Sequence, residues 1–417
     1  MKWKRQLNKL QRKHPNLPPF EKNLDFWRQL WKIVEISDVV VQVVDVRNPL
    51  FYQSNDLAEY VKNTSNGSKQ NVLLLNKADF LSSEQRCCWA NHFEESDMKT
   101  LFFSAVDAIE KKQDTDYENS NTEKIAFNTE HVMTPHDVVS AIKSLVPVGG
   151  TENDMTVIGF VGYPNVGKSS VINILLENKQ LQVSATPGKT KHYQTHVLAE
   201  GGVTLVDGPG LVIPSLHMDK SEMVLQGILP IDNLTQASPC IERLLETRID
   251  FNTVVANYGI LKSCLSKGFK DSKGALGSTT YSREAQQLLS ALGIMRGYMK
   301  PGGVPDDTRA ARLILKDFVT GKLLFCKAPP GEDQEKFNNL SNKTSKKSNI
   351  EVFTEVDDLS LEESFPELRM TGAAHIRGNK QRGPILIGTS NDAEGISKKH
   401  GNKKKKEKIR RIYKDTY

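Results

Sequence analysis

Apolar positions along this chain follow two periods, and the switches between them mark out its elements. Over residues 20–37, Leu24, Trp27, Leu30, Trp31 and Val34 recur at helical spacing. That stripe predicts an amphipathic helix with both tryptophans as core anchors. Residues 39–46 are an almost unbroken β-branched run, the mark of a strand buried on both faces. A short helix is predicted over 56–62, a second buried strand over 71–75 and a third over 100–103. Between the last two, Ser82 or Ser83 suits a helix N-cap, with Glu84 and Gln85 in the first turn. From Val106 to about Glu130 the pattern is lost: Lys111, Lys112, Asp114, Asp116 and Glu118 describe a polar, mobile insertion. Thr134-Pro135-His136-Asp137 restores order, with Thr134 as N-cap, Pro135 at the first helical position and Asp137 closing a capping box. That helix should run to about residue 146. Strand 156–161, helix 170–176 and strands 193–199 and 203–206 follow. Residues 218–327 read as helices, including 282–295 and 308–318. Beyond Pro329-Pro330-Gly331 the chain is rich in Asn, Ser and Lys. No internal repeat is present.

Strands alternating with helices predict an α/β fold with a mostly parallel sheet. The expected organisation is a basic N-terminal segment (1–19), an α/β domain (20–215, with the mobile insertion at 106–130) and a mainly helical domain (216–331). A largely disordered tail with a basic terminus (332–417) completes it. A length of 417 residues with 38% hydrophobic content supports two cores. No apolar run approaches a membrane span, and Met1-Lys2-Trp3-Lys4-Arg5 lacks the apolar stretch of a signal peptide. The five cysteines, Cys87, Cys88, Cys240, Cys264 and Cys326, include no C-x-x-C pair. They are expected to be buried thiols in a reducing compartment rather than disulfides or zinc ligands. The net charge of +6 is unevenly placed: residues 1–13 hold six Lys/Arg and no acid, and residues 398–417 hold ten against Glu407 and Asp415. Basic ends around an acidic body suit nucleic-acid-seeking tails, with a solubilising or nuclear-import role as the plainer reading.

The chemistry centres on Gly162-Tyr163-Pro164-Asn165-Val166-Gly167-Lys168-Ser169-Ser170, which fits the phosphate-binding pattern G-x-x-x-x-G-K-[ST] between a strand and a helix. Glycines let backbone N–H groups curl round phosphates, Lys168 reaches the β/γ oxygens, Ser169 holds Mg²⁺, and the helix N-terminus adds its dipole. Asn76-Lys77-Ala78-Asp79 ends the second buried strand. An aspartate there accepts from N1–H and the exocyclic amine of guanine, a donor pair adenine lacks, so the nucleotide is expected to be GTP or GDP. Ser104-Ala105 would back the base. Asp207-Gly208-Pro209-Gly210 supplies a carboxylate near Mg²⁺ and a γ-phosphate-sensing N–H from Gly210. Thr190, in the polar loop between, is the expected further Mg²⁺ ligand, with Thr186 as competitor. Every one of these groups falls at a strand's C-terminal end, where open α/β sheets bind ligands.

Ras-like GTPases run phosphate loop, switch threonine, D-x-x-G, N-K-x-D, S-A. Here N-K-x-D and S-A come first, so the sequence resembles a circularly permuted GTPase cut just after D-x-x-G. The helix at 20–37 should then stand in for the one that normally follows that motif. In detail the chain resembles the large-subunit GTPase family of ribosome biogenesis (Lsg-type, YlqF/YawG). The resemblance lies in residues 20–31, in Gly227-Ile228-Leu229-Pro230-Ile231-Asp232, in Arg296-Gly297-Tyr298 through Arg309, Arg312 and Lys316-Asp317 to Pro329-Pro330-Gly331, and in Lys398-Lys399-His400-Gly401-Asn402. It covers most of residues 18–331 and the last twenty. It implies binding to the pre-large ribosomal subunit (rRNA and ribosomal proteins) late in cytoplasmic maturation, and help in releasing the nuclear export adaptor. A cytoplasmic monomer with possible nuclear shuttling is the corresponding expectation. Two departures stand out: the chain begins close to the first matched helix, and the insertion after Ala105 is short for the family.

Catalysis is less fully written in the sequence. Leu211 follows Gly210, where Ras-like enzymes carry a water-orienting glutamine, and an apolar chain cannot orient water. Lys168, Thr190, Gly210 and Asn165 are the candidate catalytic groups. Asn165 resembles the asparagine that holds K⁺ against the phosphates in related GTPases; bracing the loop is the alternative. Three readings stand: a slow GTPase switching large-subunit assembly, a nucleolar permuted GTPase acting earlier, and a GTP-binding scaffold without hydrolysis.

Overall fold

Valine after valine makes β1 (Val39–Asp45) the centre of the sheet, and all seven of its positions are buried. The computed structural model describes residues 9, 19–64, 68–113, 126–146, 155–176, 194–198, 202–213, 219–261, 263–265 and 282–342. Within these, β1 pairs in parallel with β2 (Gln70–Asn76) and with β4 (Thr156–Val161). Outward from β2 lies β3 (Thr100–Phe103), and outward from β4 lies β6 (Val203–Asp207), both parallel. Only β5 (Gln194–Leu198) runs antiparallel, against β6, giving the order β3-β2-β1-β4-β6-β5. The register matters for function. Asp45 stands opposite Asn76, Asn76 opposite Phe103, and Phe160 opposite Asp207, so the motif-bearing strand ends share one edge. This is the predicted α/β fold with a mostly parallel sheet.

Helices cover both faces. On one side α1 (Leu24–Ile36) and α3 (Asn55–Thr64) pack through Leu30, Ile33, Val34, Leu57 and Val61 onto Val40, Val161 and Val206. A single turn, α2 (Pro49–Tyr52), precedes α3. The other face carries α4 (Ser83–Glu95), α6 (Pro135–Lys143) and α7 (Lys168–Leu175), while α5 (Ala105–Gln113) follows β3. The predicted Thr134–Asp137 capping box forms, and of the two candidate N-caps it is Ser82 that caps α4, in a capping box with Gln85. The later helices are α8 (Lys220–Leu225), α9 (Ser238–Thr247), α10 (Phe251–Tyr258), α11 (Arg283–Arg296), α12 (Asp307–Thr320) and α13 (Gln334–Asn342). Their own core is built from Ile241, Leu244, Leu288, Leu292, Ile314 and Phe318. Met223, Ile228, Cys326, Ala328 and Phe337 instead join the core of the sheet. Among the described residues no helix is long and apolar enough to cross a membrane.

Four expectations need correction. Trp31 is 37% exposed, because Ile33 rather than Trp31 centres the buried stripe of α1. The chain does not lose structure at Val106: α5 continues from β3, capped by the Ser104 hydroxyl, which accepts from the Asp107 N–H at 3.1 Å. Its Val106 and Ile109 face outward while Ala108 is buried, so no apolar stripe announced it. Order also resumes before Thr134, since Asn128 Oδ1 accepts from the Thr100 N–H and hydroxyl, both at 2.8 Å. At the other end the tail does not begin at 332. In α13, Phe337 is 2% exposed and its carbonyl accepts from Gln85 Nε2 at 2.8 Å. Finally, all five thiols are free, but only Cys240 and Cys326 are buried, and Cys87 is exposed. Residues 114–125 and 343–417, with the basic terminus, lie outside the described residues.

Candidate nucleotide site

The phosphate loop leaves β4 through Gly162, whose φ of 150° and a would-be Cβ 2.5 Å from the Val43 carbonyl admit only glycine. It turns through Asn165 at φ 63° and closes at Gly167, φ 99°, before α7. A Cβ on Gly167 would fall 2.3 Å from Asn76 Nδ2. Lys168 opens α7 and is buried, its ammonium 3.5 Å from the Tyr163 carbonyl. Burial pulls the lysine pKa down, opposed by the charge of Asp207. The Ser169 hydroxyl donates to Asp207 Oδ2 at 3.3 Å. Asp207 is fully buried, and its Oδ1 has no hydrogen-bond partner. Burial raises its pKa, countered by Lys168 and Ser169. A buried carboxylate oxygen left over beside a serine hydroxyl fits an ion that completes its shell with phosphate and water. Gly210 lies against this loop, where a Cβ would meet Pro164 Cα at 3.2 Å.

The base loop is joined to the phosphate loop directly. Asn76 Nδ2 donates to the Val166 carbonyl at 2.8 Å, tying the end of β2 to the loop that precedes α7. Lys77, at φ 65°, donates through Nζ to Asp45 Oδ2 at 2.7 Å and to the Asn165 carbonyl at 3.3 Å. Asp79 sits in the short turn Ala78–Phe80, and its Oδ1 accepts from the Ser104 hydroxyl at 2.9 Å. Burial raises the Asp79 pKa and the Ser104 bond lowers it. Ser104 thus caps α5 and aims the carboxylate at once, with Ala105 as the first residue of that helix. Motifs up to 134 residues apart in sequence meet at the C-terminal edge of the sheet, in the arrangement a guanine nucleotide needs.

The comparisons with known proteins agree with that geometry. Residues 157–248 match the family model described as 50S ribosome-binding GTPase. Large subunit GTPase 1 homolog of Rattus norvegicus is 33% identical over 99% of this chain and 78% of its own length. The Danio rerio protein of the same name is 34% identical over the same shares. The chain belongs to the large subunit GTPase 1 family. Among solved structures, GNP-bound YlqF from T. maritima aligns with a TM-score of 0.43 at 20% identity, covering 74% of this chain and 99% of that one.

As a large subunit GTPase 1 family member the chain is a circularly permuted GTPase that hydrolyses GTP, and Leu211 bears on how. It is 4% exposed and packs with Leu30, Ile33 and Val34 of α1, while its N–H donates to the Gly162 carbonyl at 3.2 Å. A side chain held in that cluster points out of the site, so Leu211 is not placed to orient a water there. Val166, Lys168, Ser169 and Ser170 stand where the pattern put them. Thr190 and Thr186 lie outside the described residues. Asn165 does more than its pattern said: its amide Nδ2 donates to the Gly227 carbonyl of the helical region at 2.7 Å. Sequence reasoning also passed over Asp45 and Arg47. The available signal was an aspartate closing a strand otherwise buried and apolar, with an arginine two residues on.

Proposed function

We propose that this GTPase acts in late cytoplasmic maturation of the large ribosomal subunit and aids release of the nuclear export adaptor. The observation that carries the nucleotide part is the Asn76–Val166 bond, which sets Asp79 and Lys168 into one site for base and phosphates. The ribosomal part is supported by the description of the matching family and by the basic ends, residues 1–13 and 398–417. Mg²⁺ would be held by Ser169 and Thr190 with Asp207 behind, and supplies charge neutralisation at the phosphates. K⁺ would be held by Asn165 beside the phosphates. The protein works as a monomer in the cytoplasm with nuclear shuttling, residues 20–215 acting as the GTPase domain, 216–331 as a helical domain and the terminal residues as RNA-seeking tails.

Tagged protein should sediment with large-subunit particles, and Lys168→Ala should leave those particles carrying the export adaptor. Accumulation only when nuclear export is running, and not when it is blocked, places the step in the cytoplasm. Association with nucleolar precursors alone would overturn that placement. Phosphate release should rise when subunits are added and fall when KCl is replaced by NaCl at constant ionic strength; equal rates in the two salts remove K⁺ from the reading.

A further inference from the structure

We infer that the buried Asp45–Arg47 pair is a positioning device that makes guanine-nucleotide binding and docking of the C-terminal helices a single equilibrium. The inference rests on the guanine site described above and assigns a role to two residues outside the nucleotide motifs. Asp45 uses both oxygens: Oδ1 accepts from the Arg47 N–H at 3.1 Å and Nε at 3.0 Å, and Oδ2 from Arg47 Nη2 and Lys77 Nζ, both at 2.7 Å. Its side chain is 2% exposed and that of Arg47 10%. Burial alone would raise the Asp45 carboxyl; Arg47 and then Lys77 outweigh it and hold it below the usual carboxylate range. Lys77 is thereby fixed on the carbonyl of Asn165 in the phosphate loop.

Arg47 also faces the other way. Its Nη1 donates to the carbonyls of Phe318 and Val319, both at 3.2 Å, in the last turn of α12, where the Phe318 carbonyl also accepts from the Gly321 N–H at 3.1 Å and the helix dipole favours a cation. The Arg47 carbonyl accepts from the Lys327 N–H at 2.8 Å. Its guanidinium lies 5.2 Å from the centroid of Phe80, the residue after Asp79. That ring is seated on Gly321, where a Cβ would be 2.5 Å from it. A second route meets the first: Asn165 bonds the Gly227 carbonyl, and a Cβ on Gly227 would come within 2.9 Å of Val319 Cγ1. A buried ion pair such as Asp45–Arg47, with the part-exposed Lys77 beside it, is weak evidence for stability. A triad that bridges two functional loops to a helix end fits coupling, and coupling is reciprocal: whatever ligand tightens Lys77 tightens α12.

The test measures fluorescent-GDP affinity and hydrogen exchange over residues 226–229 and 314–320, with and without GDP. In the wild type, GDP should raise protection at the end of α12. Arg47→Lys keeps a charge for Asp45 but loses the planar fork that reaches two carbonyls. It and Arg47→Ala should weaken GDP binding by about 5- to 150-fold and abolish the GDP-dependent protection. Gly227→Ala, which touches no motif residue's side chain except through Asn165, should do the same from the far side, and serves if Arg47→Ala does not fold. Asp79→Asn should lose GDP while keeping the nucleotide-free exchange pattern of α12, so a failure of the guanine assignment shows there. Wild-type GDP affinity in Arg47→Lys and Gly227→Ala, or protection of α12 indifferent to GDP in the wild type, would overturn the inference.

Discussion

Gly167 carries two demands at once, and they can be separated by one double-mutant cycle. Its φ of 99° is left-handed, and a Cβ there would lie 2.3 Å from Asn76 Nδ2. Gly167→Ala therefore incurs about 1–2 kcal/mol for an L-residue in that region. It must also displace the Asn76 amide from the Val166 carbonyl, a buried hydrogen bond of 2.8 Å. Leaving such a partner unsatisfied costs about 1–3 kcal/mol, so the single substitution should destabilise by roughly 2–5 kcal/mol in all. Asn76→Ala loses the same bond without the backbone strain, about 1–3 kcal/mol. Once Asn76 is truncated, the added methyl of Gly167→Ala no longer meets an amide, and only the backbone part remains. The double variant should thus fall short of additivity by about 1–3 kcal/mol, the energy of the shared bond. Urea unfolding of the nucleotide-free protein, with midpoints compared at a common slope, reads this directly. Additivity to within about 0.5 kcal/mol would refute the claim that Gly167 is glycine because of Asn76.

Further outcomes follow from single side chains. Asp79→Asn should lose GTP by roughly 10⁴-fold or more and take xanthosine triphosphate instead, since the site is built round hydrogen bonds to the base. In the wild type, guanine needs the ionised carboxylate, whose pKa is raised by burial. GDP affinity should then hold at neutral pH and decline on acidification from above the ordinary aspartate value of about 3.9, and a flat profile there would show that the Asp79 carboxylate does not hold the base. Phe337→Ala should destabilise by about 3–5 kcal/mol in denaturant unfolding, because the ring is 2% exposed in the core of the sheet; an unchanged midpoint would mean α13 is not docked there. Leu211→Gln should not speed phosphate release and should cost about 1–3 kcal/mol of stability, since it puts an amide into an apolar cluster; faster hydrolysis would show that residue 211 reaches the water.

What could be read in the sequence was what local chemistry dictates. The valines of β1, the Thr134–Asp137 capping box and the spacing from Gly162 to Ser169 each specify their own backbone, so period and motif suffice. What escaped depends on partners far along the chain. Arg47 meets the Phe318 carbonyl across 271 positions, and Gln85 meets the Phe337 carbonyl across 252. Neither pairing leaves a periodic trace. α5 escaped for the opposite reason: its larger apolar residues, Val106 and Ile109, point outward, so a helix set by one serine cap looked like loss of pattern. Trp31 misled because it falls at helical spacing with Leu24, Trp27, Leu30 and Val34, whereas Ile33, which that stripe leaves out, is the residue in the core.

The permutation gives these long-range ties their meaning. Cutting the chain after D-x-x-G leaves a gap beside Leu211, and α1 fills it: Leu30, Ile33 and Val34 pack on Leu211, and the Glu21 N–H donates to the Val212 carbonyl at 3.1 Å. The first helix thus closes the core that the displaced one would have closed, and the chain after residue 213 is released to build the C-terminal helices. Those helices return to the sheet edge at Asn165 through Gly227, at Arg47 through Phe318 and Val319, and at Phe80 through Gly321. The base loop and the phosphate loop make contacts that GTP and GDP share. These ties therefore separate an occupied site from an empty one. We propose that the γ-phosphate is sensed elsewhere, at Gly210, whose neighbour Leu211 packs against α1. On that proposal a difference between GTP and GDP would pass from Gly210 through Leu211 into α1, on a route distinct from the one that reports nucleotide itself.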